Sequence, residues 1–244
     1  MPIVESYLHP GDYLTLTVSR QIPFSSDAYF SSDDINSLEI RVSCNGEEHY
    51  LISAGEGKYT DSTLIIKVGE RYDLSFTYNS MNIYGYTTVP LKPTNFNESE
   101  TSISVMRMDS TSTPTGGGGM WEMPEELTLT WDNDDGSFYI VVIENMEEIL
   151  DPVRDFGDEE MPEGRFRKSP TTSSGLRLMP QEFQYFGRHR IILFHVLPDY
   201  ASLYDETDAS SLNLTNPSTS ITNGYGIFTG LNADTLYLQV EEQK

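Results

Sequence analysis

Residues 14–19, Leu14-Thr15-Leu16-Thr17-Val18-Ser19, decide the fold class. Apolar and polar residues alternate with a period of two, which is a strand whose Leu14, Leu16 and Val18 share a buried face while Thr15, Thr17 and Ser19 meet water. The same rule puts Tyr72, Leu74, Phe76 and Tyr78 on one side of a second strand and Arg71, Asp73, Ser75 and Thr77 on the other. Between such strands lie the turn signals Pro10-Gly11-Asp12, Asn45-Gly46 and Gly55-Glu56-Gly57. Asn45-Gly46 suits a two-residue hairpin, which needs residues that tolerate positive φ. About seven strands fit into residues 1–92, the pattern of an immunoglobulin-like sandwich.

The segment Pro90-Leu91-Lys92-Pro93-Thr94 ends this run, because two closely spaced prolines interrupt strand pairing. A domain boundary is therefore expected between residues 92 and 93. Further strands are expected at 102–108, 125–131, 137–144, 188–197, 225–229 and 235–240. Trp131 closes one of them, and Phe138, Ile140 and Val142 alternate along the next, as in the central pair of a fibronectin III-like sandwich. The expected architecture is thus all-β: an N-terminal immunoglobulin-like β-sandwich over 1–92 and a C-terminal fibronectin III-like β-sandwich over 93–244. The second has two long loops, 109–122 around Gly116-Gly117-Gly118-Gly119 and 150–180, and a short helix at 199–207.

Composition narrows the function classes. Hydrophobic residues make up 37% of the 244 and aromatics 11%, enough to fill a core. The formal charge of -23 repels a phosphate backbone over most of the surface, so nucleic acid is excluded as a partner and anionic lipid is disfavoured. No run approaches the roughly 18 apolar residues of a membrane-spanning helix. Met1 leads directly into the strand-like Ile3-Val4-Glu5-Ser6-Tyr7-Leu8, with no signal peptide in view. The single cysteine, Cys44, rules out an intrachain disulfide and falls on the apolar side of a strand with Leu38, Ile40 and Val42.

No nucleophile elbow, zinc helix or phosphate loop occurs, so catalytic residues and cofactors are both expected to be none. The glycine run at Gly116 precedes Met120-Trp121-Glu122 rather than a lysine or a helix start, which reads as a flexible loop. Among His9, His49, His189 and His195, the last two share a strand face six residues apart, roughly 20 Å and too far for one ion. The acidic segment Asp132-Asn133-Asp134-Asp135-Gly136 offers a calcium candidate in Asp132, Asp134 and Asp135. It lacks EF-hand register, and a hairpin turn joining two strands accounts for the same residues. A hydrolase reading would use an acidic pair such as Asp158 and Glu163.

Several segments in order resemble a known family. They are Ile3-Val4-Glu5-Ser6-Tyr7-Leu8, then 14–20, Gly57-Lys58-Tyr59, Gly69-Glu70-Arg71-Tyr72-Asp73-Leu74, Val89-Pro90-Leu91-Lys92-Pro93 and Asn223-Gly224-Tyr225-Gly226-Ile227-Phe228. Together they resemble the Bacteroidetes lipoprotein family called domain of unknown function 4249. The resemblance implies a lipid-anchored protein associated with the outer membrane of the cell envelope, often found with TonB-dependent receptors, with no family catalytic residues to carry over. The lipobox cysteine of that pattern is missing, so an anchor is expected only on a longer precursor. Asp61-Ser62-Thr63, Asp109-Ser110-Thr111 and Asp234-Thr235-Leu236 resemble the short O-glycosylation motif of exported Bacteroidetes proteins. The expected function is a non-enzymatic accessory or binding module whose partner is an outer-membrane receptor, another envelope protein or a glycan. The alternatives are the hydrolase and a structural or adhesin subunit that assembles by strand exchange.

Overall fold

The computed structural model describes residues 1–20, 33–108, 126–157, 160–204 and 219–243. They form two compact units, Met1–Lys92 with His195–Asn232, and Pro93–Phe194 with Ala233–Lys244. The expected contiguous domain over 93–244 thus differs from the structure, in which residues 195–232 return to the first unit. Alternation reports which face of a strand is buried and not which sandwich it completes, so a returning segment leaves no mark in the pattern.

The first unit begins with β1 (Pro2–Leu8), β2 (Tyr13–Arg20), β3 (Arg41–Cys44), β4 (Glu47–Tyr50), β5 (Ile52–Gly55), β6 (Lys58–Ile65), β7 (Arg71–Tyr78) and β8 (Met81–Thr88). One sheet runs β1-β2-β6-β5 and the other β8-β7-β3-β4, with antiparallel neighbours throughout. This is the immunoglobulin strand order. Val4, Leu14, Leu16 and Val18 from one sheet and Val42, Leu74, Phe76 and Ile83 from the other make one buried cluster. Leu14, Leu16 and Val18, and likewise Tyr72, Leu74, Phe76 and Tyr78, are buried, as the alternation requires. The β3–β4 turn uses Asn45 and Gly46 at φ 52° and 82°, the positive values of a two-residue hairpin. Cys44 is buried in the same core.

The remaining strands are β9 (Asn97–Glu98), β10 (Ser102–Val105), β11 (Leu127–Thr130), β12 (Phe138–Asn145), β13 (Asp151–Pro152), β14 (Arg165–Arg167), β15 (Gly175–Leu178), β16 (Tyr185–Val196), β17 (Ile221–Thr222) and β18 (Tyr225–Glu242). In the second unit β9-β11-β15 form one sheet and β14-β12-β16-β18 the other, with β10 parallel to the end of β18. Three strands opposite four is a fibronectin III-like arrangement. Its core holds Trp131, Tyr139, Val141, Ile143, Leu178 and Leu193.

Four details of the second half depart from the reading of the sequence. Asp132–Gly136 is not a hairpin turn, because β11 pairs with β15 and β9 while β12 pairs with β14, so the segment carries the chain from one sheet to the other. The region 150–180 is not one irregular loop: it contains β13, β14 and β15, whose short lengths and arginines hid them. Residues 225–229 and 235–240 belong to one continuous β18. Along β12 the core receives Tyr139, Val141 and Ile143 rather than the Phe138, Ile140 and Val142 face, and Ile140 and Val142 are also buried. With both faces apolar, a period of two cannot choose between them. The expected helix is Pro198–Ala201 followed by a 3-10 turn at Ser202–Tyr204, with 205–207 outside the described residues. The glycine loop at 109–122 also lies outside them.

The returning segment completes the first sandwich at one edge. β17 pairs antiparallel with β8, placing Ile221 opposite Gly85 and Thr222 opposite Tyr84. After Asn223, at φ 62°, and Gly224, β18 pairs in parallel with β1 from Ile3↔Tyr225 to Leu8↔Gly230. Each sheet thereby gains a fifth strand, and Ile221 and Phe228 join the core. Gly226 makes the parallel approach possible: it sits at φ +97°, and a Cβ there would stand 1.9 Å from the Val4 carbonyl oxygen.

Candidate binding face on the five-stranded sheet

Alternation that buries Tyr72, Leu74, Phe76 and Tyr78 turns the intervening residues of β7 outward, and pairing aligns them with outward residues of β8, β3 and β4. One row across the sheet reads Thr222, Tyr84, Ser75, Arg41, Tyr50, and the next reads Tyr86, Asp73, Ser43, Glu48. Tyr84 and Tyr86 stand on one side of these rows, Arg41, Tyr50 and Glu48 on the other, and Ser75 and Ser43 lie between them. The outcome is a trough on the outer face, made of two adjoining hollows of about 340 and 270 Å³ that share Arg41, Ser75 and Tyr84. Three strand spacings separate Tyr84 from Tyr50, roughly 14 Å.

The side chains around the trough are tied to one another. Arg41 donates from Nη1 to Glu48 Oε1 at 2.7 Å and from Nε to Ser75 Oγ at 3.2 Å. The Tyr50 hydroxyl donates to the other Glu48 oxygen at 3.3 Å. Arg71 forks onto Asp73, with Nη2 to Oδ1 at 2.6 Å and Nε to Oδ2 at 3.0 Å, and its guanidinium lies 4.3 Å from the centre of the Tyr86 ring. The Asp73 hydrogen bonds raise the pKa of Arg71 above its ordinary value. Thr77 donates to Asn82 at 3.2 Å. Tyr50, Tyr84 and Tyr86 nevertheless keep 53%, 47% and 64% of their surface in water, on a sheet face where small polar residues would serve solubility alone. Held rotamers around exposed rings lose little entropy when something binds.

The sequence reading names this face only as the wet side of β7. The available signal was Ile83-Tyr84-Gly85-Tyr86, where the positions alternating with buried Ile83 and Gly85 are tyrosines instead of serine or threonine.

The sequence-derived site residues do not converge. Asp132 Oδ2 accepts from Thr94 Oγ1 at 3.0 Å and Asn95 Nδ2 at 2.6 Å, while Asp135 Oδ1 accepts from the Ser137 amide at 3.0 Å. Asp134 lies in the same connection, and among the described residues no group of three or more His, Cys, Asp or Glu is placed to hold a metal ion. Glu163 is exposed, and Asp158 lies outside the described residues. His49 Nδ1 meets Asp61 Oδ2 at 3.1 Å, and His195 Nδ1 meets the Leu91 carbonyl at 2.8 Å. His189 is buried, with Nδ1 3.1 Å from the Gly187 carbonyl and its ring edge-on to Phe183. Burial pushes its pKa below 6.5, against the smaller opposing pull of Gly187 and Glu147. In the tripeptide Asp61-Ser62-Thr63 the Thr63 hydroxyl is donated to Asp61 at 2.6 Å, and Asp109-Ser110-Thr111 lies outside the described residues.

No protein-family model matches the chain. No curated protein matches it either. Among solved structures, the FN1-FN3 domains of chicken CNTN1 align over 98% of this chain and 63% of theirs, at 13% identity and a TM-score of 0.28. Domains A168-A170 of titin align over 79% of this chain and 55% of theirs, at 10% identity and a TM-score of 0.21. The chain spans less than two thirds of the length of either. The fold assignment rests on strand order and core, described above.

Proposed function

We propose that this chain is a non-enzymatic accessory or binding module of the cell envelope, which docks an outer-membrane receptor, another envelope protein or a glycan. The observation that carries the binding part is the tyrosine-rimmed trough on the β17-β8-β7-β3-β4 sheet, where Tyr50, Tyr84 and Tyr86 are exposed, Tyr50 bonded to the Arg41–Glu48 pair and Tyr86 packed against the Arg71–Asp73 pair. Aromatic and arginine side chains supply most of the energy at recognition surfaces. The envelope setting is supported by the family resemblance of the sequence. The strand-exchange rival needs a long open edge. Here β18 pairs with β1 from Ile3 to Leu8, β17 pairs with Tyr84 and Gly85 of β8, and the edge strands β4 and β5 are four residues each.

The test is affinity capture from envelope extract on the immobilised chain, with the Tyr84→Ala, Tyr86→Ala double variant as control and mass spectrometry of what is retained. An outer-membrane receptor, envelope protein or glycan held by the wild type and lost from the variant supports the reading. Equal retention by both moves recognition away from this face. Steady release of reducing ends from an envelope polysaccharide would overturn the non-enzymatic assignment.

A further inference from the structure

We infer that the trough binds a neutral oligosaccharide chain, held between Tyr84 and Tyr50 over the Ser75 floor; this rests on the binding-module reading and names its ligand class. Three properties select that class. The first is charge. With a formal net charge of -23 the protein repels polyanions, and at the trough Arg41 is paired with Glu48 and Arg71 with Asp73 while Glu39 adds one exposed carboxylate, so nothing there concentrates positive charge for an anionic ligand.

The second is the mixture of hydrogen-bonding groups. Arg41 supplies donors, Glu48 supplies acceptors, and Ser75, Thr77 and Asn82 supply both, within one trough. A ligand made of hydroxyls, each donor and acceptor at once, can satisfy every one of them. A protein surface brings fixed donors or acceptors and an apolar centre, and the middle of this trough is serine.

The third is the placement of the rings. A tyrosine face is electron-rich and attracts the weakly positive C–H faces of a sugar ring, while the ring edges keep their hydroxyls for polar partners. Tyr84 and Tyr50 lie in one cross-strand row roughly 14 Å apart, a separation for a chain of several sugar units rather than one. Thr222 extends that row on the far side of Tyr84, so the returning β17 adds to the wall.

The experiment is isothermal titration of the full chain with neutral gluco-, xylo- and manno-oligosaccharides from disaccharide to hexasaccharide. Wild type is compared with Tyr84→Ala, Tyr84→Phe, Tyr50→Ala and Ser75→Gln. Far-ultraviolet circular dichroism and thermal midpoints check that each variant folds. The expected result is affinity that grows with chain length, falls about tenfold or more in Tyr84→Ala and Tyr50→Ala, survives in Tyr84→Phe, and is blocked when Ser75→Gln fills the floor. Binding that ignores all four substitutions overturns the assignment of the trough. Absence of binding by any neutral oligosaccharide overturns the ligand class. If envelope capture still depends on Tyr84 and Tyr86 in that case, the binding-module reading stands and its ligand is a protein; if capture fails as well, both readings fall.

Discussion

Phe228 offers a direct test of how the chain is divided. It belongs to β18, 136 positions beyond the Lys92 boundary by numbering, yet its ring is fully buried in the core built by β1–β8. Its relative exposure is 0%, so Phe228→Ala removes a whole buried ring and leaves a cavity between two sheets with little freedom to collapse. Such substitutions cost about 3–5 kcal/mol, a large part of the roughly 5–15 kcal/mol that stabilises a typical domain. The assay is hydrogen exchange read by mass spectrometry on the intact chain, with urea unfolding for the overall loss. Exchange should rise in β1, β2, β7 and β8, the strands of the sandwich that Phe228 fills. The strands β11, β12 and β15 around Trp131 should keep their protection. Deprotection confined to β11, β12 and β15 would refute the reasoning and restore a contiguous domain over 93–244.

Three further predictions follow from single contacts. Gly226→Ala should destabilise the first unit by more than the 1–2 kcal/mol of unfavourable φ alone, because its Cβ would meet the Val4 carbonyl at 1.9 Å; a thermal midpoint within error of wild type would show that the parallel β1–β18 pairing is dispensable. Acidification should weaken the fold in two stages. Burial lowers the pKa of His189, and also that of His9 against the pull of Asp12, so below about pH 6.5 the unfolded chain takes up protons that the folded chain refuses, at up to about 1.4 kcal/mol per pH unit for His189 and less for the more exposed His9. Burial raises the pKa of Asp61, but bonds from the Thr63 hydroxyl and amide and from His49 outweigh it and hold the group below 3.8, so its contribution is present above that value and lost beneath it. Urea midpoints across pH should therefore fall on the acid side, and a His189→Gln variant should flatten the first stage. Arg107 forks onto Asp151 and Glu242 at 2.9–3.0 Å and lies 4.6 Å from the Phe186 ring centre; Arg107→Ala should cost about 1 kcal/mol, shrinking in high salt, and Arg107→Lys should recover little because an ammonium cannot fork.

The first sandwich was legible because its strands β1, β2, β7 and β8 bury one face each. Leu14-Thr15-Leu16-Thr17-Val18 and Tyr72 through Tyr78 say which side is inside, and Asn45-Gly46 says where a hairpin turns. The second sandwich was less so, for physical reasons visible in particular residues. In β12 five successive residues, Tyr139 to Ile143, are buried, so no alternation remains to give the face. In β14 a single half-buried Phe166 stands between Arg165 and Arg167, which reads as charged loop. The Asp132–Gly136 segment carries turn residues whether it closes a hairpin or crosses between sheets; only the partners of β11 and β12 decide, and pairing over long sequence separation is not written locally. The candidate face was half legible: the outward residues of β7 were assigned to water, but the row joining Tyr84, Ser75, Arg41 and Tyr50 exists only once three registers are known.

The returning segment ties these points together. An immunoglobulin-type sandwich of β1–β8 alone would leave β1 and β8 as neighbouring edges, each with unpaired backbone groups open to another chain. β18 pairs with β1 from Ile3 to Leu8 and β17 with Tyr84 and Gly85 of β8, joined by a single turn at Asn223 and Gly224; this requires a small residue at Gly85 opposite Ile221 and at Gly226 opposite Val4. Tyr84 is thereby paired on both sides, with Ser75 of β7 and Thr222 of β17, rather than standing at a fraying margin, and Thr222 extends the wall beside it. The segment that pairs with β1 through the backbone is thus also the one that borders the exposed tyrosines of β8.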